Sequence, residues 1–179
     1  LRYGVKWSGL WLRYGDFLAA PRTFNLFSDE KIIVREITGS FPKCIHAAYS
    51  EEIYLYNRSN IAVVKREGST VSLKYILTLL NSSLMSYYFK KNTAKAERKL
   101  FPKIILNDLR LFPIRNISPE EQLPFTSLAD KMLTLNADLQ KSVQRFLKRV
   151  QDNLHPAKVS GALENFYAME FADFVKKFL

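Results

Sequence analysis

Lys90, Lys91, Lys95, Arg98, Lys99 and Lys103 fall within one short stretch, beside Tyr87, Tyr88, Phe89 and Phe101. Residues 89–115 add Arg110 and Arg115, so eight cations face only Glu97 and Asp108. Cations at this density interleaved with aromatic rings suit a nucleic acid, because lysine and arginine neutralise phosphates and release their counterions. A charge run is often just a solvated surface, but the concentration of this one beside aromatics favours the nucleic-acid reading. Lys43, Arg58, Lys65 and Arg66 are weaker candidates upstream, for either phosphate or base contact.

Catalytic chemistry is harder to assemble. There is no glycine-rich phosphate loop, GxSxG elbow or HExxH helix, and the two histidines, His46 and His155, are far apart. The Asn/Asp-Pro-Pro-aromatic motif of amino-group methyltransferases is absent. Asp29-Glu30-Lys31 is the nearest fragment to a nuclease pattern and reads instead as a surface strand cap. His46, in an apolar strand, reads as a satisfied core histidine, Tyr54 and Tyr56 as strand packing, and Cys44 as a small buried hydrophobe. No catalytic, metal or cofactor residue is therefore assigned.

The elements that must position the cations follow from periodicity. The first 30 residues, aromatic but aperiodic, read as an irregular lead-in with at most a short helix. KIIVREI (31–37), CIHAAYS (44–50), IYLYN (53–57) and NIAVVKRE (60–67) read as strands of a meander, with turns at Gly39–Pro42 and Glu67–Ser69. From Val71 the period becomes helical: Leu73, Ile76, Leu77, Leu80, Leu84 and Tyr87 share one face of an amphipathic helix that ends on Lys90 and Lys91, complementing its dipole. KIIL and LRLFPI, after the basic loop, look like short strands.

Ser118-Pro119-Glu120-Glu121 is a helix start, with a serine cap, proline at the first helical position and a capping-box glutamate. Phe125, Leu128, Met132, Leu135 and Leu139 then form a heptad-like stripe that continues, after one stutter, through Val143, Phe146, Val150 and Leu154. A last helix over about 159–178, with Leu163, Phe166, Tyr167, Phe171, Phe174 and Phe178 on one side, is expected to fold back as a hairpin. The fold class is α+β: a mixed β domain with an amphipathic helix over 1–117, then a helical spacer or hairpin over 118–179, packing on the first domain or on a catalytic part outside the chain.

Charge divides the same way. Residues 1–117 hold 19 Lys and Arg against 9 Asp and Glu, whereas 118–179 hold 8 of each, so all of the net charge of +10 lies in the first part. That division implies an anionic partner for one part and a protein partner for the other. One cysteine excludes a disulfide framework and points to a reducing, cytoplasmic setting. No apolar run approaches the ~20 residues that span a bilayer, so no membrane partner is expected. An opening on Leu1 and a close inside a helical pattern suggest a piece of a longer protein.

LLNSSLMSYYFKK followed by FPKIILNDLRLFPI resembles the TaqI-like C-terminal specificity domain, the target-recognition domain of type IIG enzymes that carry methyltransferase and nuclease in one chain. The matching positions are Leu80-Asn81-Ser82, Tyr87 to Lys91 and Phe112-Pro113-Ile114, with FSDEKIIVREI, IHAAY and NIAVVK in the same order upstream, covering about 24–114. The segment from Ile117 to Gln122 is similar to the junction where type I specificity subunits enter their helical spacer, and LHPAKVSGALENFYAMEF to the close of type IIG enzymes. The loop 92–100 departs from the family in lacking glycines.

The resemblance implies sequence-specific recognition of double-stranded DNA by a chain that is not itself an enzyme. Its partners would be DNA and the methyltransferase and nuclease domains of the same parent chain. S-adenosylmethionine and Mg would belong to those domains and not to this chain. Three other readings stand beside it: a type I specificity subunit fragment, an RNA-binding module, and a protein-interaction scaffold.

Overall fold

The computed structural model describes residues 2–93, 102–154 and 161–178. They divide into two compact units, Leu1–Leu133 and Thr134–Leu179.

The first unit is α+β. Its sheet has three antiparallel strands, β1 (Lys31–Arg35), β2 (Ala47–Ser50) and β3 (Asn60–Val64), preceded by the short helix α1 (Asn25–Ser28). The strand order is β2-β1-β3, so the expected meander gives way to a central β1 flanked on both sides. Residues 53–57 are not a strand. Both edges of β1 are taken, and the chain must cross from β2 to the far side; there Tyr54 N donates to Phe27 O at 3.3 Å, and the Tyr56 ring packs 5.0 Å from Phe27.

Alternation along β1 sends Ile32 and Val34 into the core with Ala47, while Ile33 and Arg35 face the other way with their register partners Ala48 and Asn60. Helix α2 (Leu73–Leu80) packs on the core face through Leu73, Leu77 and Leu80. Cys44 is buried in this core, as expected of a small hydrophobe, and burial raises its thiol pKa.

The amphipathic helix is two helices. α2 stops at Asn81, and Ser82, in extended backbone, accepts from Met85 N at 3.0 Å to cap a new helix, α3 (Ser83–Asn92). The break shifts the phase: α3 buries Met85, Ser86 and Phe89, whereas Leu84 and Tyr87 are 76% and 53% exposed. Asn81 explains why the break sits there. Arg35 N bonds His46 O, so the next residue, Ala47, turns its backbone polar groups outward. The buried Asn81 amide meets both, accepting from Ala47 N at 3.2 Å and donating to Ala47 O at 2.9 Å. Tyr3 N also donates to Ala47 O at 2.8 Å. The open edge of β2 is thereby covered.

LRLFPI is likewise not a strand. Nor is KIIL: helix α4 (Leu106–Arg110) takes the end of KIIL and the first two residues of LRLFPI, and 111–114 leave it as a turn and irregular chain. Helix α4 is started by the Asp108 carboxylate, which accepts from Ile105 N at 2.9 Å. Just before it, Lys103 forms an isolated bridge with Ile37.

Helix α5 (Pro119–Leu154) begins on the expected capping box: Glu121 N donates to Ser118 Oγ at 3.3 Å, and Ser118 N to Glu121 Oε2 at 2.9 Å. Its face in the first unit is not the leucine stripe. Gln122 and Ala129 are buried, with Phe125 and Leu133 half-buried, while Leu128 and Met132 are exposed. Two contacts set this rotation. The Gln122 side chain accepts from Ser72 N at 2.7 Å and donates to Ile117 O at 3.1 Å, and Phe125 packs edge-on against Tyr75 at 5.2 Å.

In the second unit, the expected last helix is three pieces: α6 (Gly161–Glu164), a 3₁₀ turn (Phe166–Ala168) and α7 (Phe171–Phe178). They fold back on α5 as a hairpin would, with Phe166 stacked 3.9 Å from Phe146 and Phe174 edge-on at 5.7 Å. Each break resets the phase, so Tyr167 and Phe171 are exposed. Among the described residues, no helix is long and apolar enough to cross a membrane.

Candidate nucleic-acid interface

The connection from Glu36 to Cys44 organises one end of the sheet. Glu36 N donates to Ser59 O at 2.9 Å, Ile104 N to Glu36 O at 2.9 Å and Thr38 N to Pro102 O at 3.0 Å. Cys44 N donates to Ser86 Oγ at 3.1 Å, which ties in α3. Four segments distant in sequence therefore meet at the Arg35 end: 36–44, 57–60, 86–91 and 102–104.

Their cations come with them. Lys90 and Lys91 are exposed on the last turn of α3, their ammonium groups 5.8 Å from the Phe41 ring centroid and 5.9 Å from that of Tyr87. Such contacts orient a lysine without neutralising it. Lys43 is exposed beside Phe41, where its N–H donates to Ser40 O at 2.9 Å to close a turn. Arg58 is exposed on the turn before β3, shaped by the Asn57 side chain, which accepts from Ser59 N at 3.1 Å. Lys103 is half-buried and paired with Glu36 at 3.8 Å, so it is less available to a phosphate than sequence suggests. Lys95, Arg98 and Lys99 lie outside the described residues.

Lys65 and Arg66 do not join this group. β3 runs antiparallel to β1 and pairs Val64 with Lys31, so both residues leave the sheet at its opposite end, roughly 14 Å away along the strand. Asp29, Glu30, Glu51 and Glu52 cluster at that end. Tyr49 Oη lies 2.8 Å from Glu30 Oε1 and 2.6 Å from Glu51 Oε1. Burial first, then these carboxylates, raises the phenol pKa. Lys31, fully buried, donates from Nζ to Asp29 O at 2.9 Å and Glu52 O at 2.8 Å. Burial lowers its pKa, with Asp29 opposing. The Asp29-Glu30-Lys31 fragment is thus engaged in local structure.

The sheet face opposite the core carries a feature that periodicity did not disclose. A groove of about 360 Å³ has Ile33 and Ala48 as its floor, and Arg35, His46, Asn57 and Asn60 at its Arg35 end. The N-terminal segment 4–8 and residues 54–57 wall it, bringing in Trp7, Tyr54 and Tyr56. His46 is half-buried, with a hydrogen bond to the Lys43 backbone, so it is satisfied but lines the groove instead of the core. Burial first, and then the positive charges of Arg35 and Arg2, lowers its pKa. Gly39 is required next to it, because a Cβ there would stand 2.4 Å from His46 Nε2. The one sequence signal for the groove was the alternation of KIIVR, which sets Arg35 opposite the core face; the walls had none.

Comparison with known proteins completes the description. A protein of Methanocaldococcus jannaschii, provisionally named as a type II restriction enzyme and methyltransferase, is 28% identical over 137 residues, which is 74% of this chain and 11% of that protein. The chain therefore spans about a tenth of its relative's length. No solved structure matches it. Residues 118–178 match a family described as a domain of unknown function, DUF8810. The sheet, α2 to α4, the cationic end and the irregular lead-in together fall within a match over residues 1–114, and on that match the chain belongs to the TaqI-like C-terminal specificity domain family.

Proposed function

We propose that the chain is the target-recognition part of a type IIG restriction endonuclease and DNA methyltransferase, and that it binds double-stranded DNA across the Arg35 end of its sheet. The observation that carries this reading is the convergence of Lys43, Arg58, Lys90 and Lys91, from three separate segments, on the end away from the carboxylates. A phosphate backbone needs cations spread over such a surface and free to release their own counterions. These residues would grip phosphates and fix register, with Lys103 contributing once Glu36 is displaced. Lys95, Arg98 and Lys99 are proposed as DNA contacts on their sequence alone.

The chain itself performs no chemistry in this reading. Methyl transfer with S-adenosylmethionine and Mg-dependent cleavage belong to other domains of the parent chain, in the cytoplasm. The boundary near residue 117 is proposed as the junction between recognition domain and spacer, with the first turns of α5 still anchored to the recognition domain by Gln122 and Phe125.

The test is fluorescence anisotropy of the chain on a random-sequence duplex pool over a salt series, with RNA of equal length as competitor. A log–log slope of about −4 or steeper, outcompeted by DNA and not by RNA, is expected. Preferential competition by single-stranded RNA would replace the reading with an RNA-binding module. Absence of binding at low salt would favour the protein-interaction scaffold.

A further inference from the structure

The two edges of the sheet differ in what covers them. On β2, the Asn81 amide and Tyr3 N meet the outward backbone groups of Ala47. On the other edge, Glu36 N donates to Ser59 O, and Val34 and Ile32 follow in the same register opposite Ile61 and Val63, so these pairs exchange the ladder hydrogen bonds. Asn60, Ala62 and Val64 therefore turn their N–H and C=O groups away from β1. Asn60 N is used by the preceding turn, donating to Asn57 O at 3.1 Å, but among the described residues no hydrogen bond reaches the backbone of Ala62 or Val64. Burial agrees: β1 and β2 are mostly buried, whereas every residue of β3 is half-buried or exposed.

An unpaired edge is a template for another strand. Residues Asn60–Val64 contain no proline and no charge, and Ile61 and Val63 carry the core face out to the margin of the sheet. Arg58 is exposed before the strand, and Lys65 and Arg66 after it, against Glu67 alone. These charges disfavour a second copy. Pairing two β3 strands antiparallel about Ala62 sets Arg58 of each copy opposite Arg66 of the other, and like charges directly opposite are destabilising. They favour carboxylates instead. A strand added beyond β3 lies about 5 Å from it, about 10 Å from β1 and about 14 Å from β2. Glu30 and Glu51, at the ends of those two strands, then stand near or beyond the ~10 Å screening length at about 0.1 M salt, whereas Lys65 and Arg66 are adjacent.

Independently of the DNA-recognition reading, we propose that the outer edge of β3 accepts an extended protein segment as a fourth strand, with apolar residues beside Ile61 and Val63 and a carboxylate at each end. Backbone hydrogen bonds to Ala62 and Val64 hold the segment, and the flanking cations select it. The probe is a labelled nonapeptide, Glu-Thr-Thr-Val-Thr-Val-Thr-Thr-Glu, which spans positions 58–66 and sets its valines beside Ile61 and Val63 in either direction. Its titration into the full chain is read by anisotropy and by amide hydrogen exchange.

At saturation the Ala62 and Val64 amides are expected to slow by at least about tenfold, while those of Ile61 and Val63, already bonded to β1, change little. The same peptide with lysine at both ends should bind about tenfold more weakly, and Lys65→Glu with Arg66→Glu should erase that preference. Ala62→Pro removes an outward N–H at an edge position, where proline is tolerated, and should abolish binding; the charge reversal keeps the test open if that variant does not fold. No saturable binding would overturn the proposal, as would binding that leaves Ala62 and Val64 exchange unchanged. So would equal affinity for the two peptides, or a preference that survives the charge reversal. Protection of the two amides that rises with chain concentration without peptide would overturn it too, by giving the edge to a second copy.

Discussion

The two ends of the sheet carry similar side chains and do different things with them. At the Lys31 end a lysine is fully buried on backbone carbonyls, and a tyrosine hydroxyl sits between two carboxylates. At the Arg35 end, lysines lie over aromatic rings and an arginine crowns an exposed turn, with Glu36 on Lys103 as the ion pair. The lesson concerns charge counting. Lys65 and Arg66 add to the same total as Lys43 and Arg58, yet antiparallel pairing delivers them to the acidic end, where a phosphate would be repelled. What a cation can bind depends on which strand end it leaves from.

The widest test of this contrast removes charge from one end at a time. Replacing Lys43, Arg58, Lys90 and Lys91 with alanine is expected to weaken duplex binding by about three orders of magnitude at ~0.1 M salt and to reduce the salt slope by about 3 to 4. Lys65→Ala with Arg66→Ala should change affinity less than threefold. Equal losses from the two sets in anisotropy titrations would erase the distinction between the ends.

Stability should respond in the opposite sense. Lys31→Met removes an ammonium that donates to two carbonyls, and should cost about 3 kcal/mol in urea unfolding, with the salt slope of the remaining folded protein unchanged. A cost near zero would show that the buried lysine is not what holds the Lys31 end.

Two smaller effects sharpen the Arg35 end. Glu36→Gln frees Lys103 and is expected to raise duplex affinity by two- to threefold, about 0.5 kcal/mol; a decrease would mean that the pair positions Lys103 for DNA. His46 gives a pH signature. Its pKa is lowered in the folded chain, so below its ordinary value of 6.5 the unfolded chain binds more protons, and stability falls as pH drops through that value toward the lowered one. His46→Gln should flatten the urea midpoint between pH 7.5 and 5.5 relative to the parent chain. Parallel profiles would remove His46 as the cause.

How legible this was can be judged from particular residues. The capping box at Ser118 was readable because its two hydrogen bonds join neighbours in sequence. The helix break was present as Asn81-Ser82-Ser83, two cap-forming residue types inside an apolar stripe, but the stripe continued through it and suggested the wrong buried residues. Gln122 and Ala129 were not legible as a buried face. A glutamine is buried only because Ser72 N and Ile117 O happen to meet it, and an alanine only because α5 lies close to the core there. The cationic surface was half legible: sequence density pointed to Lys90 and Lys91, whereas Phe41 beneath Lys90, the diversion of Lys103 to Glu36 and the groove at Arg35 were not visible.

By itself the sequence determined what is local and periodic: an α+β body rich in positive charge, alternating strands, capped helices, and motifs in the order of a specificity-domain family. Only the tertiary structure decided the strand order β2-β1-β3, and with it which cations share an end and which face the carboxylates. The reason is physical. Alternation and helical period fix which side of an element is apolar, but strand order depends on which edges of β1 are free when each segment arrives. The groove depends on segments 4–8 and 54–57, each placed by a bond to a residue far away in the chain: Tyr3 N to Ala47 O just ahead of the first, and Tyr54 N to Phe27 O in the second.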